Sequence, residues 1–470
     1  MKKMESLRPE RVFHYFKEIC AIPHGSGDTE KISNYCVEFA KSHGLEFIKE
    51  EIGNVIIKKP ATAGKESCPA VILQGHLDMV CEKEPDLNFD FKKDSIDIDI
   101  NGDFVFAHGT TLGGDDGIAV AMCLAILEDS EISHPPIEVL FTVDEETGMY
   151  GAQALDGSLL SGRRLINIDS EEEGIFTVSC AGGVRAELSV PIEFEQNSKP
   201  CFLVTVNGLI GGHSGVEIHK GRHNSNKIAA SFLKTIDNFR IVSICGGMKD
   251  NAIPVNSQII IATDKDISQF IDEFVSRNRS VNDPDLNISV QPIEVKPVSM
   301  TERSTQRVVE FLWGVPNGII KWSEDIENLV ETSLNLGVLT TGDSAVVASF
   351  ALRSSVNDSK LELLSKLQDY VENFGGKMIS EGHYPAWEYR KESMLRDTMC
   401  SVYENITWEK PQVVAIHAGL ECGLLSEKLD NLDAVSIGPD MFDIHTCRER
   451  LSISSTERVY NYIIKLLEVL

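Results

Sequence analysis

Along the first part of the chain the apolar positions switch between two periods. From Arg11 to Cys20 they fall at Val12, Phe13, Phe16 and Ile19, the stripe of an amphipathic helix. A second stripe, Ile32, Tyr35, Cys36, Phe39 and Ala40, predicts another helix, with Asp28 available as its cap and Gly44 just past its end. Short apolar runs predict strands at Val55–Ile57, Val71–Leu73, Ile137–Val143 and Leu165–Ile168. The stretch from about Gly117 to Leu127 is apolar all round and reads as a buried helix. This alternation, from Pro9 to about Cys180, predicts an α/β sheet with helices on both faces.

From about Gly183 to Tyr384 the texture changes. Strand patterns such as Cys201–Val206 and Gln258–Ala262 mix with helical ones such as Asn226–Phe239, which predicts an α+β domain. After Pro385 the α/β texture returns, with strands at Val413–Ile416 and Ala434–Ile437. The last helix presents Val459, Ile463, Leu467 and Leu470 on one face, behind a capping box at Ser454 and Glu457. The texture divides the chain into residues 1–183, 184–384 and 385–470.

At 470 residues the chain exceeds what one core organises. Its formal net charge of −28 argues against a nucleic-acid binder, which needs a basic surface, and against attraction to an anionic membrane. The 11 cysteines are scattered and none forms a C-x-x-C pair, so neither a disulfide framework nor a zinc knuckle is expected. No apolar signal segment follows Met1, and no apolar run is long enough for a membrane span. The expectation is a cytoplasmic protein.

The candidate chemistry gathers where strands end or helices begin. The run Ala70–Gly75 leads into His76-Leu77-Asp78, and residues i and i+2 of a strand share a face. His76 and Asp78 can therefore emerge together as metal ligand and orienting carboxylate. Gly113-Gly114-Asp115-Asp116-Gly117 opens the buried helix; Asp144-Glu145-Glu146 and Asp169 each close a strand. Ligands in open α/β sheets collect at the carboxyl ends of strands, so these segments are expected at one edge. His445, a short loop beyond the strand at Ala434–Ile437, is a fifth candidate. Two histidines and several carboxylates suit two divalent ions such as Zn²⁺, with a bridging carboxylate between them. Glu145 and Glu146 can divide the remaining work, one ligating and one free to move a proton.

Each segment also has a plainer reading. The Gly-Gly-Asp-Asp-Gly run could be a turn with an N-cap aspartate, Glu145-Glu146 solvated surface, and His445 structural. All must hold together for the site to vanish.

Taken together, His76-Leu77-Asp78-Met79-Val80, Leu112 to Ala119, Asp144 to Gly148 and the Gly208 to Asn224 segment resemble the co-catalytic zinc peptidases that include aminoacylase, glutamate carboxypeptidase and the dipeptidases. Gly211 to Gly215 and His417-Ala418-Gly419-Leu420-Glu421-Cys422-Gly423 resemble the aminoacyl-histidine dipeptidase branch of that family. The resemblance runs essentially end to end. It implies one metal on His76 and Asp169, the other on Glu146 and His445, and Asp115 bridging. It further implies that Asp78 orients His76, that Glu145 is the general base for a metal-bridging hydroxide, and that the Asp115–Asp116 peptide is cis. The family usually has Asn where Asp116 stands. The resemblance also implies that residues 184–384 are a lid and dimerisation domain inserted into a catalytic domain of residues 1–183 and 385–470, with His213 as an oxyanion donor, Arg353 for the substrate's terminal carboxylate, and Asn251, His417 and Gly419 as further substrate contacts.

The implied protein is a di-zinc dipeptidase, homodimeric, acting on Xaa-His and other unblocked dipeptides, with Mn²⁺ or Co²⁺ as possible replacements for Zn²⁺. An N-acyl amino acid amidohydrolase or a tripeptidase of the same family is the alternative. A non-catalytic metal-binding homologue is a second; the presence of both Asp78 and Glu145, which binding alone does not need, argues against it.

Overall fold

A computed structural model describes residues 4–470. The chain forms two compact units. The first comprises the chain up to Ser179 with Tyr389–Ala415 and Leu420–Leu470; the second comprises Cys180–Glu388 with Ile416–Gly419.

The first unit is built on an eight-stranded sheet in the order Glu46–Lys49, Val55–Lys59, Ile137–Thr142, Val71–His76, Arg164–Asn167, Asp433–Ser436, Ile175–Cys180 and Gln412–Ile416. Its four middle strands, Ile137–Thr142 to Asp433–Ser436, run parallel. Parallel strands are covered on both faces and read as continuous apolar runs. Val71–His76 and Ile137–Thr142 are accordingly buried at every position. The apolar stretch forms the helix Gly114–Glu128, buried from Gly114 through Leu127. The amphipathic helix Glu10–Cys20 packs against it. Parallel alignment puts four strand ends at one edge, and the candidate residues follow three of them directly.

A small four-stranded sheet completes the edge. Met441–Phe442 pairs antiparallel with Arg450–Ser452, so residues 443–449, His445 among them, form a hairpin loop. Asp443 and His445 both have positive φ in that loop (52° and 59°), uncommon for residues with a Cβ and characteristic of functional turns.

The second unit contains a nine-stranded sheet. Its main path runs Asn287–Ile293, Cys201–Asn207, Ser257–Ala262, Arg240–Gly246, Val330–Thr341, Ala345–Ser354, Gly182–Pro191 and Lys377–Tyr384, and Gly318–Trp322 pairs with Val330–Thr341. Every pairing in it is antiparallel, as in an α+β fold. The helices Ser225–Leu233, Ile271–Asn278, Glu302–Gly314 and Asn357–Glu372 share its core.

Local expectations differ from the structure in four places. The second helix starts at Glu30 with Thr29, not Asp28, at the cap position. The last helix spans Ile453–Val469, so Ser454 lies within its first turn and Ser452 is the cap, its hydroxyl accepting from Ser455 N–H. The helix predicted over Asn226–Phe239 ends at Leu233; the chain turns through positive φ at Asn238 so that Ile236 and Phe239 bury against the sheet core. Ile416–Gly419, expected in the catalytic domain, belongs to the second unit, where His417 bonds to Ser333.

Candidate metal centre

The strand Val71–His76 delivers His76 to the sheet edge with its ring already oriented. Nδ1–H donates to the Asp78 carbonyl (2.9 Å), with Asp78 Oδ1 3.6 Å away. That leaves Nε2 as the free lone pair, the tautomer a metal needs. Nε2 lies 3.1 Å from Asp115 Oδ1 and 3.7 Å from Asp169 Oδ1. On the other side, His445 Nε2 lies 3.1 Å from Asp115 Oδ2 and 2.8 Å from Glu146 Oε1. Asp115 thus turns one carboxylate oxygen to each histidine. Two donor sets share it: His76 with Asp169, and His445 with Glu146. Glu145 is beside them, its carboxylate within 4.8 Å of ligand atoms of His76 and Glu146.

Asp78 does more than orient His76. Its buried carboxylate accepts from Glu145 N–H (3.0 Å), Glu146 N–H (3.3 Å) and the Ser26 hydroxyl (2.8 Å). Asp78 therefore holds the histidine through its main-chain carbonyl and the turn that carries both glutamates through its carboxylate. The preceding Asp144 sits at positive φ (56°), and its Oδ1 accepts from Gly27 N–H (2.6 Å).

The electrostatics call for cations. Burial opposes charge on His76, yet Asp115, Asp169 and Asp78 hold its pKa well above the usual value. Hydrogen bonds to the carboxylates of Asp115 and Glu146 push His445 up to about 10. Burial raises Glu145 to about 9, helped by the negative Asp169, Glu421 and Glu146. Buried carboxylates at such density are stable only when paired or metal-bound. The donors are imidazole nitrogens and carboxylate oxygens, the mixture divalent ions such as Zn²⁺ accept.

The Asp115–Asp116 peptide is cis, as the resemblance implied. Asp116 also lies within 4.8 Å of His76 and Asp169 donor atoms. Its Oδ2, however, accepts from His76 N–H (3.1 Å), and its Oδ1 is buried without a partner. Burial and the neighbouring Asp169 hold its carboxyl well above the ordinary range.

Two buried acids escaped the sequence reading. Glu449, on the same hairpin loop as His445, accepts from four successive backbone N–H groups: Leu112 (2.7 Å), Gly113 (3.2 Å), Gly114 (2.7 Å) and Asp115 (3.4 Å). It clamps the turn that presents Asp115. Glu421 accepts from Gln74 Nε2 (2.6 Å) and Thr142 Oγ1 (2.7 Å), tying together the ends of two parallel strands. The only sequence signal for Glu449 was its place four residues after His445. Glu449→Gln sets an amide against N–H donors and is expected to weaken metal uptake by about 10–100-fold, the usual cost of losing an outer-shell partner. Competition against a chromophoric chelator measures it, and unchanged uptake would remove Glu449 from the site.

The remaining candidates lie in the second unit. His213 Nδ1 accepts from Gly215 and Val216 N–H (3.1 and 3.2 Å), which leaves Nε2 as a donor. A Cβ on Gly215 would stand 3.0 Å from His213 Cε1, 3.1 Å from Arg353 Nε and 2.4 Å from the His417 carbonyl, so these residues converge. His417 is buried, with Nε2 2.7 Å from Ser333 Oγ. Gly419 faces the ring of Tyr384. Asn251 is exposed; its carbonyl accepts from Ser214 N–H, beside the short pairing of Gly212–His213 with Ala252–Ile253.

Comparison with known proteins agrees along the whole length. Over 483 aligned residues the chain is 36% identical to the cytosol non-specific dipeptidase of Escherichia coli K12, covering 100% of this chain and 99% of that one. The crystal structure of the aminoacylhistidine dipeptidase of Vibrio alginolyticus superposes with a TM-score of 0.95 at 36% identity, covering 100% and 98%. A tripeptidase structure from Staphylococcus aureus shares the fold alone, with a TM-score of 0.58 at 15% identity over 98% of each chain. Among the described residues no helix is long and apolar enough to cross a membrane. Residues 72–469 match the model of peptidase family M20/M25/M40, and the chain belongs to that family.

Proposed function

We propose that the protein is a dinuclear-metal dipeptidase hydrolysing unblocked dipeptides, Xaa-His among them. The observation that carries this reading is Asp115, whose two oxygens face His76 and His445 (3.1 Å each) with Asp169 and Glu146 completing the two sets. His76, Asp115 and Asp169 would hold one ion; His445, Asp115 and Glu146 the other. Bound there, two zinc ions would polarise a peptide carbonyl and acidify a water molecule. Glu145 is the proton carrier: its carboxylate takes a proton from the attacking water and passes it to the leaving amine. Its raised pKa stems partly from negative neighbours, and positive charge at those ligands lowers it again, restoring a base near neutrality. Asp78 keeps this geometry by holding His76 and the Glu145–Glu146 turn. In the second unit His213, with Nε2–H free to donate, suits a developing oxyanion, and Arg353 suits a carboxylate. We take the protein to act in the cytoplasm as a homodimer.

The two relatives that are 36% identical to this chain are named as dipeptidases, and that identity supports the same substrate size. The deciding experiment incubates the zinc-loaded protein with β-Ala-His, Gly-His, Leu-Gly, a tripeptide and an N-acetyl amino acid. Dipeptide cleavage that chelator abolishes and zinc restores is expected. Turnover of the acetylated compound alone would make the protein a deacylase, and two bound metals without turnover would make it a binding protein.

A further inference from the structure

Within the first unit, residues 24–28 form a strap alongside the chain that follows His76. The segment joins the helices Glu10–Cys20 and Glu30–Ser42, and its sequence, Pro23-His24-Gly25-Ser26-Gly27, suits neither helix nor strand. It makes a single parallel bridge, Gly25 to Met79. Met79 N–H donates to the His24 carbonyl (3.2 Å), and Ser26 N–H to the Met79 carbonyl (3.3 Å). A Cβ on Gly25 would meet Cys81 Sγ, so glycine permits this close approach. Asp28 N–H then donates to the Gly25 carbonyl (2.8 Å), and Gly27 stands at φ 80°. That is a β-turn whose third residue occupies the left-handed region glycine supplies.

The turn presents two donors to the segment carrying Glu145. Gly27 N–H donates to Asp144 Oδ1 (2.6 Å), on the residue just before the glutamate. The Ser26 hydroxyl has one proton and two acceptors in range: Asp78 Oδ2 at 2.8 Å and the Met79 carbonyl at 3.5 Å. The shorter bond, to a carboxylate, takes it. Asp78 Oδ1 accepts from Glu145 N–H (3.0 Å), while Oδ2 is held only loosely by Glu146 N–H (3.3 Å). Both of these bonds go to the glutamate turn itself. Ser26 is therefore the group that ties this carboxylate to a different part of the fold. Without the hydroxyl, the carboxylate keeps one good bond and can swing about its Cβ–Cγ axis.

We propose that Ser26 is a positioning residue for Glu145: its hydroxyl fixes the Asp78 carboxylate, and through it the backbone of the turn that aims the glutamate. His76 is held by the Asp78 main-chain carbonyl, so its orientation does not depend on Ser26. Base alignment and metal binding are thus separable at this residue. A loosened base slows proton transfer in the transition state without changing how the substrate binds, so the effect falls on kcat. The inference rests on the dipeptidase reading and adds to it a residue outside the ligand set.

Ser26→Ala is expected to lower kcat on Gly-His by about 10-fold, the effect of one hydrogen bond to a charged group, with KM and zinc content unchanged. Ser26→Thr keeps the hydroxyl and should keep the turnover. The decisive comparison is made in the Glu145→Gln background. There Ser26→Ala should cost nothing further, because the group it aligns is gone. The same loss in both backgrounds overturns the proposal, as does an unchanged kcat in Ser26→Ala alone. Turnover of Ser26→Ala that excess zinc restores overturns it too, since the effect would then lie on the metals. Hydrogen exchange by mass spectrometry, on the peptide containing Asp144, Glu145 and Glu146, needs no turnover. Exchange there should quicken in Ser26→Ala, and unchanged exchange overturns the proposal. A wild type that cleaves no dipeptide overturns the dipeptidase reading instead, and the exchange result alone then decides whether Ser26 holds the turn.

Discussion

Glu145→Gln is expected to lower dipeptide turnover by about 10²–10⁴-fold, the contribution of a positioned general acid–base group, while both metal equivalents stay bound. The substitution keeps the size of the side chain and the backbone N–H that Asp78 accepts from. It removes only the ability to take and return a proton. Turnover should fall in kcat and kcat/KM together, because proton transfer is stabilised in the transition state and not in the bound substrate. Metal content by mass spectrometry and kcat on Gly-His decide the matter. If turnover persists near the wild-type level, the base is another group. Glu146 then becomes the candidate, since it stands within 4.8 Å of the same histidine.

Asp115→Asn is expected to cost both metals at once. The two histidines lie on opposite oxygens of this one carboxylate. An amide presents one oxygen and one NH₂, so it can serve at most one of them. The NH₂ end would face the imidazole of the other. Loss of affinity should exceed the about 10–100-fold typical of an outer-shell partner. Asp169→Asn, by contrast, should weaken the His76 side and spare the His445 side. Circular dichroism checks that the fold survives, and equilibrium dialysis counts the metals. Two equivalents retained by Asp115→Asn would shift the bridging role to Asp116, the only other carboxylate of that turn. The raised pKa of His445 depends on Asp115 and Glu146, so the same variant should also titrate His445 closer to its ordinary range, visible by NMR.

The hydrophobic pattern by itself determined that the candidate metal-binding residues stand at strand ends and at the start of the buried helix. Continuous apolar runs mark strands buried on both faces, a stretch apolar all round marks the enclosed helix, and period two carries His76 and Asp78 to one side. Those are short-range properties, set by steric and solvation preferences within a few residues, and they suffice to put the acids at strand ends. Tertiary structure decided what no local rule contains. Glu449 meets the Asp115 turn across 335 residues of chain, and Glu421 meets Gln74 across 347. Tyr384 reaches Arg353 only because strand register puts Gly183 between them. Even the caps were settled this way. Ser454 fits a capping box, but Asp103, distant in sequence, accepts from the hydroxyls of both Ser452 and Ser454 and from Ser454 N–H, and the helix takes Ser452 as its cap. Likewise the helix ends at Leu233, where burying Ile236 and Phe239 outweighs further helical turns. A buried polar atom must find a partner wherever the fold provides one, and that choice is made by packing between distant segments.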